Sequence, residues 1–232
     1  MSSVIDTFIA PPCETPIEIL YQDDVLLVIN KPSGLLSLSG KNPQNWDSVH
    51  YRLVRQFTGC SLVHRLDFGT SGLMLIGLNK TITAALSQQF SQRSVDKTYH
   101  ALLCGYLPEN SGIIDAPIAK DPAHFPLMRI DATLGKPAQS HFEVEQRSLY
   151  TLRSGVTIPV TRVKLSPLTG RTHQLRVHCQ FLGYPIVGCD LYGGRLDPEG
   201  ETHPRLMLHA SSLSFHHPLT GDLMRLHSPL PF

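Results

Sequence analysis

Apolar residues in this chain arrive in strand-sized pieces separated by glycine, proline and acidic turns, which restricts it to a fold assembled from many short strands. The longest runs, such as Leu73–Leu78, fall far below the roughly 18 residues that a membrane span needs, so no membrane association is expected. Residues 17–30 place two apolar runs around the Asp23–Asp24 pair, the pattern of a β-hairpin. Further strands are expected over Leu73–Leu78, Tyr99–Tyr106, Ser140–Val144, Val160–Ser166, Arg205–Phe215 and Leu223–Leu226, the last two joined by a turn over His217–Asp222.

Three segments carry helical spacing instead. Val49, Leu53, Val54 and Phe57 recur at three and four residues within Asp47–Phe57, with Asp47 or Ser48 as the cap. Ile82, Ala85, Leu86 and Gln89–Phe90 line one face of Thr81–Gln92, where Asn79 can cap. Thr172–Leu182 reads as a third helix, capped by Thr169 or Thr172 and stopped by Gly183. Ala116–Pro137 reads as a loop excursion without regular structure. This order lacks the regular βαβ alternation of a doubly wound fold. The expected class is α+β, a mixed and mainly antiparallel sheet with flanking helices and loops.

With 232 residues and 41% apolar composition, the chain can bury about 70–75% of its unfolded surface without metal or disulfide staples. No linker divides it, so one domain of two lobes is expected, with residues 1–16 as an N-terminal extension and 17–232 as the domain proper. The extension lacks the basic start and apolar stretch of a signal peptide. The five cysteines are scattered with no CxxC spacing, which fits a reducing cytoplasm.

Twenty Lys and Arg against nineteen Asp and Glu leave a formal charge of +1, so contact with nucleic acid must rest on local clustering. One such cluster is the acid-free segment from Arg147 to Cys189, with Arg147, Arg153, Arg162, Lys164, Arg171 and Arg176 as a candidate phosphate-facing stripe.

The polar, glycine-punctuated stretch His64-Arg65-Leu66-Asp67-Phe68-Gly69-Thr70-Ser71-Gly72 feeds the strand at Leu73, a placement suited to holding a reactive side chain. Its Asp67-Phe68-Gly69 lacks the upstream parts of a kinase, and Gly69-Thr70-Ser71-Gly72 misses a nucleophile elbow by one residue. The twelve histidines show no metal-ligand spacing, and no metal is expected. Asp67 is left as a lone carboxylate beside Arg65, and an adjacent guanidinium favours the charged form that acts as nucleophile or base. A turn or capping aspartate would read the same way.

Val63–Leu73 resembles the H-R-L-D-x-x-T-S-G-L signature of the RluA family of RNA pseudouridine synthases. Asn30-Lys31-Pro32-Ser33-Gly34-Leu35, Lys97-Thr98-Tyr99, Gly135-Lys136-Pro137-Ala138 and Thr169-Gly170-Arg171-Thr172-His173-Gln174-Leu175-Arg176-Val177-His178 are similar to further elements of that family, in family order. The resemblance implies the pseudouridine synthase fold, with two lobes around a central RNA-binding cleft. It places this chain with the short branch that lacks an N-terminal S4-type module.

It also implies a cofactor-free isomerisation of specific uridines in structured RNA, a ribosomal or transfer RNA stem-loop, by a cytoplasmic protein expected to act as a monomer. By the same resemblance Asp67 is the essential carboxylate, Arg171 its guanidinium partner, and Tyr99 the ring stacked on the flipped base. Arg65 would fill the gap left by the extruded nucleotide or steady the flipped nucleotide, and His64 would bind phosphate or brace the loop. Leu175 would wall the pocket, while Lys97, Arg176 and Lys31 would face phosphate or cleft. An RNA-binding or RNA-folding protein on this scaffold, with catalysis dispensable, is the alternative.

Overall fold

The computed structural model describes residues 8–40, 42–152, 154–193 and 205–232. In chain order the elements are β1 (Glu18–Gln22), β2 (Leu26–Lys31), α1 (Val49–Val54), β3 (Ser61–Leu62), β4 (Ser71–Gly77), α2 (Lys80–Ser91), β5 (Asp96–Cys104) and β6 (Ser111–Asp115). There follow β7 (Ile118–Lys120), β8 (Met128–Ile130), β9 (Gln139–Thr151), β10 (Thr157–Pro167), α3 (Gln174–Phe181), β11 (Leu208–His216) and β12 (Leu223–His227). Strands dominate, as the short apolar runs predict, and the class is α+β. No helix among the described residues is long and apolar enough to cross a membrane.

The chain divides into two compact units, Met1–Lys97 with Ala210–Pro229, and Thr98–His209 with Leu230–Phe232. In the first unit the strand order is β1-β2-β4-β11, with β3 also on β4 and β12 on β11. The β1–β2 hairpin turns where Asp23 Oδ1 accepts from Val25 N (2.8 Å) and Leu26 N (2.9 Å). Every residue of β4 is buried, because both faces of the sheet are covered. Leu73 and Leu75 join Leu26, Val28, Phe215 and the α2 residues Ile82 and Leu86 in one cluster. On the opposite face Met74 and Ile76 pair across the strands with Ile29 and Leu27.

Helix α2 starts at its expected cap, Asn79 Oδ1 accepting from Ile82 N at 2.9 Å. Helix α1 starts at Ser48, whose Oγ accepts from Tyr51 N (3.1 Å); Asp47 pairs with Arg52 instead. It ends at Val54, short of the expected Phe57.

In the second unit the order is β5-β10-β9-β6, and β9 and β10 form a long antiparallel ribbon. Ala101, Leu103, Val163 and Leu165 of this sheet pack with Leu175, Val177 and Cys179 of α3. The stretch 116–137, expected as an irregular loop, contains the β7–β8 pair. It is ordered because Ala116 and Ile118 are buried in the core and Ile118 N bonds Lys136 O at 3.0 Å. Helix α3 begins at Gln174 rather than Thr172, because His173 takes the left-handed conformation (φ 55°) and occupies the capping position. Neither Thr169 nor Thr172 caps it.

Candidate active site

In the first unit the loop between β3 and β4 carries His64 to Thr70, and every backbone carbonyl from Leu66 to Gly69 is held. Ser37 Oγ donates to Leu66 O (2.6 Å) and accepts from Leu66 N (3.2 Å). Thr70 N closes a turn onto Asp67 O at 3.1 Å. Phe68 O accepts from both Lys31 Nζ (3.1 Å) and Gly34 N (3.0 Å), and Ser33 Oγ donates to Gly69 O (2.6 Å). Asp67 therefore sits half-buried on a backbone with no slack, the condition for aiming one side chain. Gly72, next along, has φ 112°, and a Cβ there would fall 2.6 Å from Ala210 N; only glycine allows the two backbones this approach.

Lys31 is a correction. It was expected to face phosphate or cleft, but it is 0% exposed and its ammonium donates to Pro32 O (2.8 Å), Leu35 O (2.7 Å) and Phe68 O. Three carbonyls replace its water, so it ties the 31–35 segment to the loop bearing Asp67 and cannot reach RNA.

His64 stacks on Phe90 (4.6 Å between ring centroids), and its Nε2 accepts from Leu75 N at 3.1 Å. The bond fixes the neutral tautomer with the proton on Nδ1. Burial, and then the nearby Lys97 charge, push its pKa down to about 3. This is the bracing geometry. Lys97 stands 5.8 Å from the Phe90 centroid, and burial pushes its pKa down. Arg65, between His64 and Leu66, is exposed.

The second unit holds the other expected residues. Tyr99 lies half-buried on β5 opposite Leu165 and packs against the core. Arg171 donates from Nε to Pro137 O at 3.0 Å, so the Gly135–Ala138 element supports it. Beneath it Gln174, 4% exposed, uses all four of its hydrogen-bonding positions. Its Oε1 accepts from Thr169 Oγ1 (2.7 Å) and Arg171 N (3.0 Å), while Nε2 donates to Gln139 O (3.0 Å) and Ser140 Oγ (2.9 Å). Ser140 passes its proton toward His178 Nδ1 (3.0 Å), and His178 Nε2–H donates to Ala116 O (3.0 Å). Burial accordingly lowers the His178 pKa and keeps the ring neutral.

Leu175 is a buried core residue. Arg176 is a second correction, because it is buried. Its guanidinium bonds Cys189 Sγ (3.3 Å) and Asp190 and lies over the Tyr192 ring (5.2 Å), which leaves it unavailable to phosphate. Other cations of the stripe also have partners within the protein, although Arg147 stays exposed and Lys164 partly so. Arg147 bonds the carbonyls of Leu107, Pro108 and Glu109, Arg162 bonds Phe232 O, and Lys164 pairs with Glu143. Arg153 lies outside the described residues.

Ser33, Ser37, Ser140 and Gln174 carry much of this positioning and were given no role in the sequence reading. The available signals were a glutamine opening an otherwise apolar helix face and a serine among leucines at 35–38.

Residues 25–181, which include both loops, match the family model described as RNA pseudouridylate synthase. The chain belongs to the RluA family of RNA pseudouridylate synthases. The synthase is 42% identical over 225 residues to a dual-specificity RNA pseudouridine synthase RluA of Vibrio vulnificus, covering 96% of this chain and 86% of that one. It is 40% identical to the protein of that name from Escherichia coli K12, covering 96% and 97%. Among solved structures it is similar to human RNA pseudouridylate synthase domain containing 1, with TM-score 0.76, 34% identity, and 96% and 86% coverage. As a member of the family, the synthase is an isomerase.

Proposed function

We propose that Asp67 is the carboxylate on which the isomerisation depends, that Arg171 is the guanidinium paired with it, and that Tyr99 covers the target base. In the reaction the N1–C1′ bond of a uridine breaks and the C5–C1′ bond forms. The C5 proton is taken up at the Tyr99 oxygen as the phenol releases its own proton, and one proton is gained at N1, so the net change is one hydrogen moved from C5 to N1 and atoms balance without any co-reactant. The uridine must leave its stack to reach a half-buried carboxylate, at a cost of a few kcal/mol. Arg65, exposed beside the loop, fills the vacancy.

The observation that carries this reading is the loop of residues 66–69, fully tied at its carbonyls around one aspartate. Nothing in a merely RNA-coating protein calls for that rigidity. His64 braces the loop, Lys97 lies beside that brace, and Leu175 lines the base pocket from the core side.

The RNA we assign is structured ribosomal RNA, transfer RNA or both, and the dual specificity in the relatives' names agrees with more than one RNA target. The protein works as a monomer in the cytoplasm, where its five free thiols stay reduced. The test is Asp67→Asn, with pseudouridine mapped by chemical labelling and sequencing. Isomerisation is expected to vanish while the melting temperature and RNA affinity stay near wild type; a variant that still forms pseudouridine would refute the assignment. Rescue of a deletion phenotype by Asp67→Ala would instead favour a role in RNA folding.

A further inference from the structure

The only tryptophan of the chain, Trp46, is 54% exposed, and the backbone around it shows that this exposure is built in. Asn45 on one side is buried, with its amide bonded to Phe8 O (2.7 Å) and Ala10 N (2.8 Å). Ser48 on the other side is buried as the α1 cap, and Trp46 O accepts from Ser39 Oγ (2.7 Å). The indole meets Tyr51 edge-on, with 4.8 Å between ring centroids. Arg55 lies over the other aromatic, 5.4 Å from the Tyr51 centroid, and donates from Nη1 to Tyr51 Oη (2.7 Å).

These side chains border a groove of about 700 Å³ whose floor includes Ile17, Ile19 and Leu53. Its charged residues are Arg52, Arg55 and Asp47. Arg52 is neutralised by Asp47 and also ties down the chain at Thr15 O (2.8 Å). One positive charge, Arg55, is left over beside two aromatic rings.

A fixed, exposed indole next to a cation is the chemistry that receives an unstacked nucleobase and its phosphate. We propose that the Trp46–Tyr51–Arg55 face is an accessory RNA contact, on which one splayed nucleotide of the substrate stacks on Trp46 while its phosphate meets Arg55. The inference rests on the reading of the protein as an RNA-modifying enzyme and adds to it a contact outside the Asp67 loop. A protein partner would also favour Trp, Tyr and Arg. RNA is the occupant argued for because the surplus charge is positive and the family's substrate is polyanionic.

Because Trp46 is the sole indole, its fluorescence reports on this face alone. The experiment titrates Asp67→Asn protein with unfractionated tRNA and with a nonamer of uridylate, reading indole quenching and, separately, anisotropy of end-labelled RNA. Expected results are quenching that tracks binding, and RNA affinity weakened at least about fivefold by Trp46→Ala. Trp46→Phe should recover most of that loss, and Arg55→Gln should lower the salt slope of log Kd by about 1. RNA that binds by anisotropy while the indole stays unquenched, with Trp46→Ala within twofold of wild type, would overturn the inference and leave the isomerase reading standing. That result would leave the face to a protein partner. Failure of pseudouridine formation by wild-type protein would sink the underlying reading instead, whatever the fluorescence does.

Discussion

Replacing Gln174 with leucine should detach Arg171 from its support without touching any residue assigned to the chemistry. The loss can be counted from the network. Gln139 O keeps a donor in Leu168 N at 3.0 Å, and Ser140 keeps His178. The Arg171 N–H loses its acceptor, and the Thr169 hydroxyl, which still accepts from Gln139 N (3.0 Å), is left with only Gln139 O at 3.5 Å to donate to. Two polar groups thus lose their acceptors at about 1–3 kcal/mol each, or about 2–6 kcal/mol together.

For a chain of this length that is a fall in melting temperature of roughly 4–24 °C, measurable by calorimetry. The Thr169→Val, Gln174→Leu double variant should be less damaged than the sum of its parts, with a coupling of about 0.5–3 kcal/mol. If Arg171 has the proposed role, single-turnover kinetics should show the catalytic rate falling by about 10–100-fold on its displacement, while RNA affinity changes little. A melting temperature within about 2 °C of wild type, together with an unchanged single-turnover rate, would refute the claim that this network positions Arg171.

Lys31→Met should abolish most isomerisation yet leave the salt dependence of RNA binding unchanged, whereas loss of a phosphate-contacting lysine lowers that slope by about 1; a changed slope would return Lys31 to the RNA surface. His64, held neutral with a pKa near 3 against an ordinary 6.5, contributes stability above pH 6.5 that is lost as pH falls toward 3, since the unfolded chain takes up the proton first. His64→Gln, which keeps an acceptor for Leu75 N, should therefore flatten the acid limb of the melting-temperature profile; an NMR titration showing His64 protonating near pH 6.5 would contradict this. Gly72→Ala should cost about 2–5 kcal/mol, from its positive φ and the Ala210 backbone in its path, and denaturant melts would show it. An alanine variant as stable as wild type would mean that β4 and β11 can separate at no cost.

Local patterns were legible wherever a single element decides the outcome. The β1–β2 hairpin, the Asn79 cap of α2, the stop at Gly183 and the α+β class all follow from spacing, caps and turn residues, which act over a few bonds. The identity of the family was legible too, because short runs such as His64–Leu73 keep their order along the chain.

Cations were misread. A lysine or arginine looks the same in sequence whether water, phosphate or three carbonyls surround it, so Lys31 and Arg176 were expected at a surface from which they are buried. The 116–137 stretch was misread for a related reason. Its strands are three residues long and are stabilised by packing of Ala116 and Ile118, not by propensity.

Chain order and local chemistry alone thus determined the elements, the α+β class and the placement of Asp67 on a loop before a buried strand. Which groups hold that loop and the Arg171 turn was decided only by tertiary structure. Ser33, Ser37, Lys31, Gln174 and Ser140 act through hydrogen bonds to partners distant in sequence, up to 38 residues away between Ser140 and His178. A hydrogen bond that spans such a separation exists only once folding has removed water from both ends.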